Sequence, residues 1–294
     1  MKSKKLRLLQ AKITGKNIVV SRSNSTLPWR LSRQLTTSLI GKKIYFYRKI
    51  RSTQKLAVSL ADQERTNLEG AVIISERQTD GVGRAGKRWV SPVGGIWLSI
   101  ILKPALTSSQ SLLLMFLATL SVCEVIKSKT SLSPKIKWPN DVTIHGNKIC
   151  GALVDLAVEA ENICYAVIGI GINANNGTRP ILSKLVESKG NDFYGITSLK
   201  TELGGSDIDL VDLIQSLLVQ IEYNYDLLQD GFYHHILHRW KHLCETFNKP
   251  ILIRDQDKIY EAIVEDIDLA GVITVRINDG QIRKIFSPEI IYRR

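Results

Sequence analysis

Two short segments carry the residues best suited to chemistry. Gly81-Val82-Gly83-Arg84-Ala85-Gly86-Lys87-Arg88-Trp89 is glycine-rich with three cations. Lys137-Trp138-Pro139-Asn140-Asp141-Val142 is a turn ending in a carboxylate, and Lys148 lies seven residues past Asp141. Backbone N–H groups made accessible by glycine, with Arg84, Lys87 and a separate Lys148, suit a site that brings two anions together. Three like charges in five residues repel one another unless an anion or solvent screens them. A loop that orders around a phosphate would resolve that repulsion. Lys148 opens a predicted strand running into Gly151. A lysine fixed on a strand is a rigid point charge, suited to a carboxylate beside a phosphate.

Other chemistries share parts of these patterns. Gly81, Gly83 and Gly86 satisfy the dinucleotide pattern G-x-G-x-x-G, and Gly81 to Lys87 satisfies the phosphate-loop pattern G-x-x-x-x-G-K. Both patterns need a helix directly after the glycines. Pro92, Gly94 and Gly95 follow instead, and they do not continue a helix. Residues 96–106 hold no carboxylate for a ribose, and Arg88 stands where a phosphate loop needs Ser or Thr for Mg²⁺. His234, His238 and His242 recur at helical spacing without the Glu of a metalloprotease. They read as one face of a helix, and no metal site is expected.

The elements that must position these residues follow from the remaining pattern. The chain has 294 residues, 44% hydrophobic and 23% charged, enough for a large core and two domains. No apolar run approaches the ~18 residues that span a bilayer, and no apolar stretch follows the basic start as in a secretory signal. Cys123, Cys150, Cys164 and Cys244 form no C-x-x-C pair. They read as free thiols of a reducing, cytoplasmic compartment. Residues 1–61 hold 15 Lys and Arg and no Asp or Glu, leaving 25 basic against 28 acidic residues in the rest. The net charge of +12 is therefore an N-terminal property. It reads as a solvated basic arm or as a guide for an acidic partner.

Residues 1–40, with Leu27-Pro28-Trp29, predict one or two short elements. Strands are expected at 43–47, 71–75, 96–102, 136–138, 148–158 and 164–171. Helices are expected from Ser52, over 111–127, over 210–228 and within 231–247, with Ser52 at a cap and Pro139 ending a strand. Leu113, Phe116, Leu117, Leu120 and Val125 are core positions of the second helix. Beyond Pro250, four short strands separated by turns predict a small all-β module.

The Lys-Trp-Pro-Asn-Asp run, then Lys148-Ile149-Cys150-Gly151, then Gly169-Ile170-Gly171-Ile172-Asn173, resembles the signature of the biotin–protein ligases in order and spacing. Arg51-Ser52-Thr53-Gln54 is similar to that family's Asp-Ser-Thr-Asn, and Gln78 to its biotin-side glutamine. Val82 and Ala85 stand where the family favours two arginines. The resemblance implies an α+β fold: a mixed β-sheet core flanked by helices, class II synthetase-like, with a small C-terminal SH3-like β-barrel. It divides the chain into a basic extension at 1–42 that is not a winged helix, a catalytic domain at 43–247 and a β domain at 248–294.

The implied reaction activates biotin with MgATP to biotinyl-5′-AMP, then transfers the biotinyl group to a lysine of a biotin carboxyl carrier protein. The resemblance implies catalytic roles for Lys148, Arg84 and Asp141. It places biotin against Ser52, Thr53, Gln54, Gln78, Gly81, Val82, Gly83, Arg84, Lys148 and Gly151. It places ATP or the adenylate against Arg84, Lys87, Trp89, Asn140, Lys148 and Asn173. A homodimer is among the implied assemblies, while membrane and DNA are not expected partners. The alternatives are a lipoate–protein ligase of the same fold class and a biotin-responsive DNA-binding regulator.

Overall fold

The structure, a computed structural model, describes residues 8–13, 16–21, 30–31, 33, 35–63, 68–178, 181, 195–255, 258–285 and 289–291. Leu27-Pro28-Trp29 lies outside the described residues. Strands β1 (Leu8–Ile13) and β2 (Lys16–Ser21) form an antiparallel hairpin, and β2 pairs in parallel with β3 (Lys43–Tyr47). The basic arm thus supplies two strands to the sheet that carries the site.

Helix α1 (Thr53–Gln63) follows, with Ser52 Oγ accepting the Lys55 N–H at 3.3 Å, as expected of a hydroxyl cap. Next come β4 (Val72–Ser75), β5 (Gln78–Val82), β6 (Arg88–Ser91) and β7 (Ile96–Leu102). Helix α2 (Leu112–Lys129) leads to β8 (Lys135–Lys137), β9 (Asp141–Ile144), β10 (Asn147–Glu159) and β11 (Asn162–Ile172). The main sheet has nine strands in the order β1-β2-β3-β4-β7-β11-β10-β9-β8. Its β2-β3 and β3-β4 pairs are parallel and the others antiparallel.

The central strands are apolar on both faces because helices cover both. Ile44, Phe46, Val72, Ile74, Ile100, Leu102, Ile168 and Ile170 point into one core with α2. Tyr45, Ile73, Ile101, Tyr165 and Val167 alternate with them and meet Ala57 and Ala61 of α1. Helix α2 is long and apolar enough to cross a bilayer, a property hidden in the sequence by scattered Thr, Ser and Cys. Most of it is buried inside the protein, and Leu113, Phe116, Leu117 and Leu120 are fully enclosed.

A short helix α3 (Leu199–Glu202) precedes α4 (Leu210–Gln229) and α5 (Tyr233–Leu243), which pack beside α2. The C-terminal strands are β12 (Pro250–Asp255), β13 (Lys258–Ile267), β14 (Ile273–Ile277), β15 (Ile282–Ile285) and β16 (Glu289–Ile291). They form an antiparallel sheet in the order β15-β14-β13-β12-β16, compatible with an SH3-like domain. The sequence pattern predicts four of these strands and misses β16. No closed barrel is seen among the described residues. Val264, Ile267, Ile273 and Val275 join this sheet to the main core.

Candidate functional site

The glycine-rich stretch folds as a hairpin. β5 and β6 form a two-stranded sheet of their own, with Gln78 opposite Ser91, Gly81 opposite Trp89 and Val82 opposite Arg88. Gly81 is required by close approach: a Cβ there would stand 2.4 Å from the Trp89 carbonyl oxygen. The tip turns at Ala85 (φ 51°) and Gly86 (φ 71°). Arg84, Lys87 and Arg88 are exposed there. The sequence predicts a loop at this position; the period of two in Gln78, Asp80 and Val82 is too short to register as a strand.

One side of the hairpin meets the second motif. Arg84 Nη1 donates to Asn140 Oδ1 at 2.9 Å. Asn140 is fixed in turn, its Nδ2 donating to the Ala152 carbonyl at 3.0 Å while its own carbonyl accepts the Ala152 N–H at 2.9 Å. Asp141 opens β9, and Lys148 is the second residue of β10. Their side chains form an ion pair at 2.6 Å, with only 14% and 21% of each exposed.

Trp89 covers this pair. The Lys148 ammonium lies 5.2 Å from the centre of the indole ring, a cation–π contact. The ring rests on two glycines that face each other across β10 and β11. A Cβ on Gly151 would come within 3.0 Å of the indole, and one on Gly171 within 2.4 Å of its Nε1. Gly151 of Lys-Ile-Cys-Gly and Gly171 of Gly-Ile-Gly are therefore a floor for an aromatic lid.

A polar cluster lines the other side. Gln78 Oε1 accepts the Thr53 backbone N–H at 2.8 Å and lies 3.2 Å from Thr53 Oγ1, while Gln78 Nε2 donates to Ser91 Oγ at 2.8 Å. A cleft of about 290 Å³ runs along the hairpin, walled by residues 77–79 and 88–93. Lys148 is not part of that wall; Trp89 borders both the cleft and the lysine.

Several expected ligand contacts are engaged elsewhere. Gln54 is buried, and its Nε2 donates to Asp155 Oδ2 at 2.9 Å and to the Val167 carbonyl at 3.0 Å. Ser99 Oγ donates to Gln54 Oε1 at 2.8 Å, so only a lone pair of that amide remains for a ligand. Gly169 makes room for it, since a Cβ there would meet Gln54 Oε1 at 2.4 Å. Ser52 Oγ is committed to its helix cap. Asn173 is buried at the end of β11; its N–H donates to the Ile149 carbonyl at 2.8 Å, and its Oδ1 accepts from Asn176 Nδ2 at 3.2 Å.

Ser91, Ser99 and Asp155 complete the cluster, and no sequence signal singles them out, because Ser and Asp on strands are individually ordinary. Lys137 is different, since it begins a motif and lies opposite Asp141 across β8 and β9. Burial pulls its amine down to about 8, against the opposing pull of Glu245 and Asp141. His238 and His242 do share a helix face, with rings 4.6 Å apart.

Comparison with known proteins places these features in context. Residues 45–173 match the Biotin/lipoate A/B protein ligase family. The chain is 30% identical to the bifunctional ligase/repressor BirA of Bacillus subtilis over 258 residues, 87% of this chain and 76% of that protein. It is 26% identical to the Escherichia coli protein of the same name over 263 residues, 89% of this chain and 78% of that one. The biotin protein ligase of Aquifex aeolicus, solved with biotin and ATP, superposes with a TM-score of 0.67 at 23% identity, covering 85% of this chain and 98% of that one.

Proposed function

The chain belongs to the biotin/lipoate A/B protein ligase family, and from that premise we propose that it activates biotin with ATP and passes the biotinyl group to a lysine of a biotin carboxyl carrier protein. The observation that carries this reading is the closed arrangement of Lys148, Asp141, Trp89 and the Arg84–Asn140 bond. It sets Lys148 against Trp89 on a glycine floor, and Arg84 against Asn140, the neighbour of Asp141. A carboxylate and an α-phosphate repel each other, so a site that joins them needs positive charge fixed in place before reaction.

In the first step a biotin carboxylate oxygen bonds to the α-phosphorus, and the bond to the bridging oxygen of pyrophosphate breaks. Lys148 stabilises the charge on both partners from its strand. Arg84 holds phosphate oxygens from the hairpin, and Lys87 at the exposed tip can join it. Thr53, Gln78 and Ser91 offer the hydroxyl and amide groups for the ureido end of biotin, with Gly81, Val82 and Gly83 as backbone wall. Mg²⁺ would arrive on the triphosphate. Among the described residues no three His, Cys, Asp or Glu side chains converge to hold a metal.

In the second step the carrier lysine attacks the acyl carbonyl and AMP leaves. Asp141, held against Lys148, is the carboxylate placed to receive the proton of that amine. Trp89 keeps water from the anhydride.

The experiment is to incubate the protein with biotin and MgATP and look for biotinyl-AMP by mass spectrometry, then add a carrier domain. Lipoate in place of biotin tests the rival ligase. Adenylate formed from lipoate and not from biotin would overturn the proposal.

A further inference from the structure

The backbone around Lys148 is held in an unusual way. β11 ends its pairing with β10 at Ile172 opposite Cys150, and the Asn173 N–H to Ile149 carbonyl bond is the last contact on that side. On the other side, the register with β9 shifts between Lys148 and Cys150. Lys148 therefore sits at a bulge, beyond the reach of the long strand that steadies the rest of β10.

The segment 195–197 takes the missing place. The Lys148 N–H donates to the Gly195 carbonyl at 2.7 Å, and the Thr197 N–H donates to the Lys148 carbonyl at 3.0 Å. Gly195 fits closely, as a Cβ there would come within 1.9 Å of Asn147 Oδ1. The β9–β10 turn on the other side runs through His145 at φ 49° and Gly146 at φ 76°, the two left-handed positions of a tight hairpin turn.

One carboxylate ties both flanks. Glu202 Oε1 accepts from Thr197 Oγ1 at 2.6 Å, and Glu202 Oε2 lies 2.8 Å from His145 Nδ1. The Glu202 side chain is 12% exposed. Its short helix is itself bound to the end of β11, where the Leu199 N–H donates to the Asn173 carbonyl at 3.0 Å.

We propose that Glu202 is a positioning residue that fixes Lys148 by clamping the segment 195–197 and the β9–β10 turn around it. This rests on Lys148 being the ammonium that serves adenylation. The clamp lies away from Thr53, Gln78 and Ser91, so its loss should change turnover and leave biotin affinity alone.

The test measures kcat and biotin KM for biotinyl-AMP formation in the full chain, with thermal unfolding alongside. Glu202→Ala and Thr197→Val are expected to lower kcat about tenfold with biotin KM within about twofold, the signature of a displaced reacting group. Glu202→Gln keeps an oxygen for Thr197 and is expected to recover most of that loss. His145→Ala removes one flank at an exposed position and should fall in between. If Glu202→Ala does not fold, Thr197→Val decides. A wild-type kcat in both, or a loss confined to KM, overturns the clamp. Lys148→Ala run in parallel separates the two ideas. If it keeps full activity, the role of Lys148 fails; if it collapses while the clamp variants do not, only the clamp fails.

Discussion

The hairpin of β5 and β6 and the strand pair of β9 and β10 divide the site between two kinds of support. Asp141 and Lys148 stand in the nine-stranded sheet, largely buried and paired at 2.6 Å. Arg84, Lys87 and Arg88 stand at the exposed tip of a two-stranded sheet that the nine-stranded one does not include. The base of β5 is well tied, with the Thr79 and Asp80 N–H groups donating to the Ile50 and Arg51 carbonyls, Gln78 accepting the Thr53 N–H and Asp80 paired with Arg51 and Lys55. The tip, by contrast, is held through Arg84 to Asn140 and through Trp89 on its glycine floor. The contrast teaches where precision is needed. A charge that must meet a transition state belongs on a strand whose position is over-determined. A cover that must admit and release ligands belongs on an element with few anchors.

The sharpest way to break this comparison is to remove the rigid charge. Lys148→Ala should lower the rate of biotinyl-AMP formation by about 10²–10³-fold, as single donor deletions at such sites do. Single-turnover kinetics would read it at a temperature where thermal unfolding shows the variant folded, because Asp141 loses its partner in a largely buried pair. A rate near wild type would mean that the exposed cations do the work and that the division of roles is false.

The hairpin should respond in a different quantity. Arg84→Ala removes a cation that bonds Asn140 from the exposed tip of the hairpin, so the fold has little to lose. Release of bound biotinyl-AMP should quicken about tenfold or more, the weight of a charge-assisted hydrogen bond. Unchanged release in stopped-flow measurements would detach the hairpin from the nucleotide. A smaller effect is expected from Gly171→Ala, whose methyl group would press on the Trp89 indole from 2.4 Å. The ring must lift, and hydrolysis of the adenylate should rise about tenfold as the cover loosens. An adenylate equally long-lived in this variant would show that the floor does not set the lid.

The same contrast explains what the sequence discloses. The strands at 43–47 and 96–102 and the helix over 111–127 are continuous in hydrophobicity, because both faces of the sheet are covered. Motif residues are legible because chemistry restricts their type: Lys148, Asp141 and Asn140 come together as their order implies. The polar struts are not legible. Ser99 sits between Thr53 and Gln54, and Asp155 is 101 residues from the Gln54 it accepts from. Such pairs are made by sheet order, which local pattern does not encode. The strand pair β1–β2 escapes for a related reason, since it gains its place in the sheet through the pairing of β2 with β3.

A residue belonging to neither region supplies the remaining control. Glu222 on α4 is buried beneath the turn that leads into β3. One of its oxygens accepts from Ser38 N and Oγ, the other from the N–H groups of Leu39 and Ile40 at 2.8 and 2.6 Å. Burial alone would raise its pKa, but these hydrogen bonds outweigh burial and hold it below the usual carboxylate value. The folded protein therefore releases this proton more readily than the unfolded chain. The stability it contributes is complete above the unfolded glutamate value of ~4.3 and is lost as pH falls through the lower folded value. Glu222→Gln turns an amide NH₂ toward backbone N–H donors, which costs about 1.5–3 kcal/mol of stability at neutral pH. Denaturant unfolding measured between neutral and acidic pH should show that cost and a flatter acid limb. Adenylate formation at 25 °C should stay within about twofold of wild type, because the turn anchors the sheet and touches neither the hairpin nor Lys148. A rate that fell with stability would mean that the site senses the whole sheet, and the separation between rigid floor and loosely tied cover would have to be redrawn.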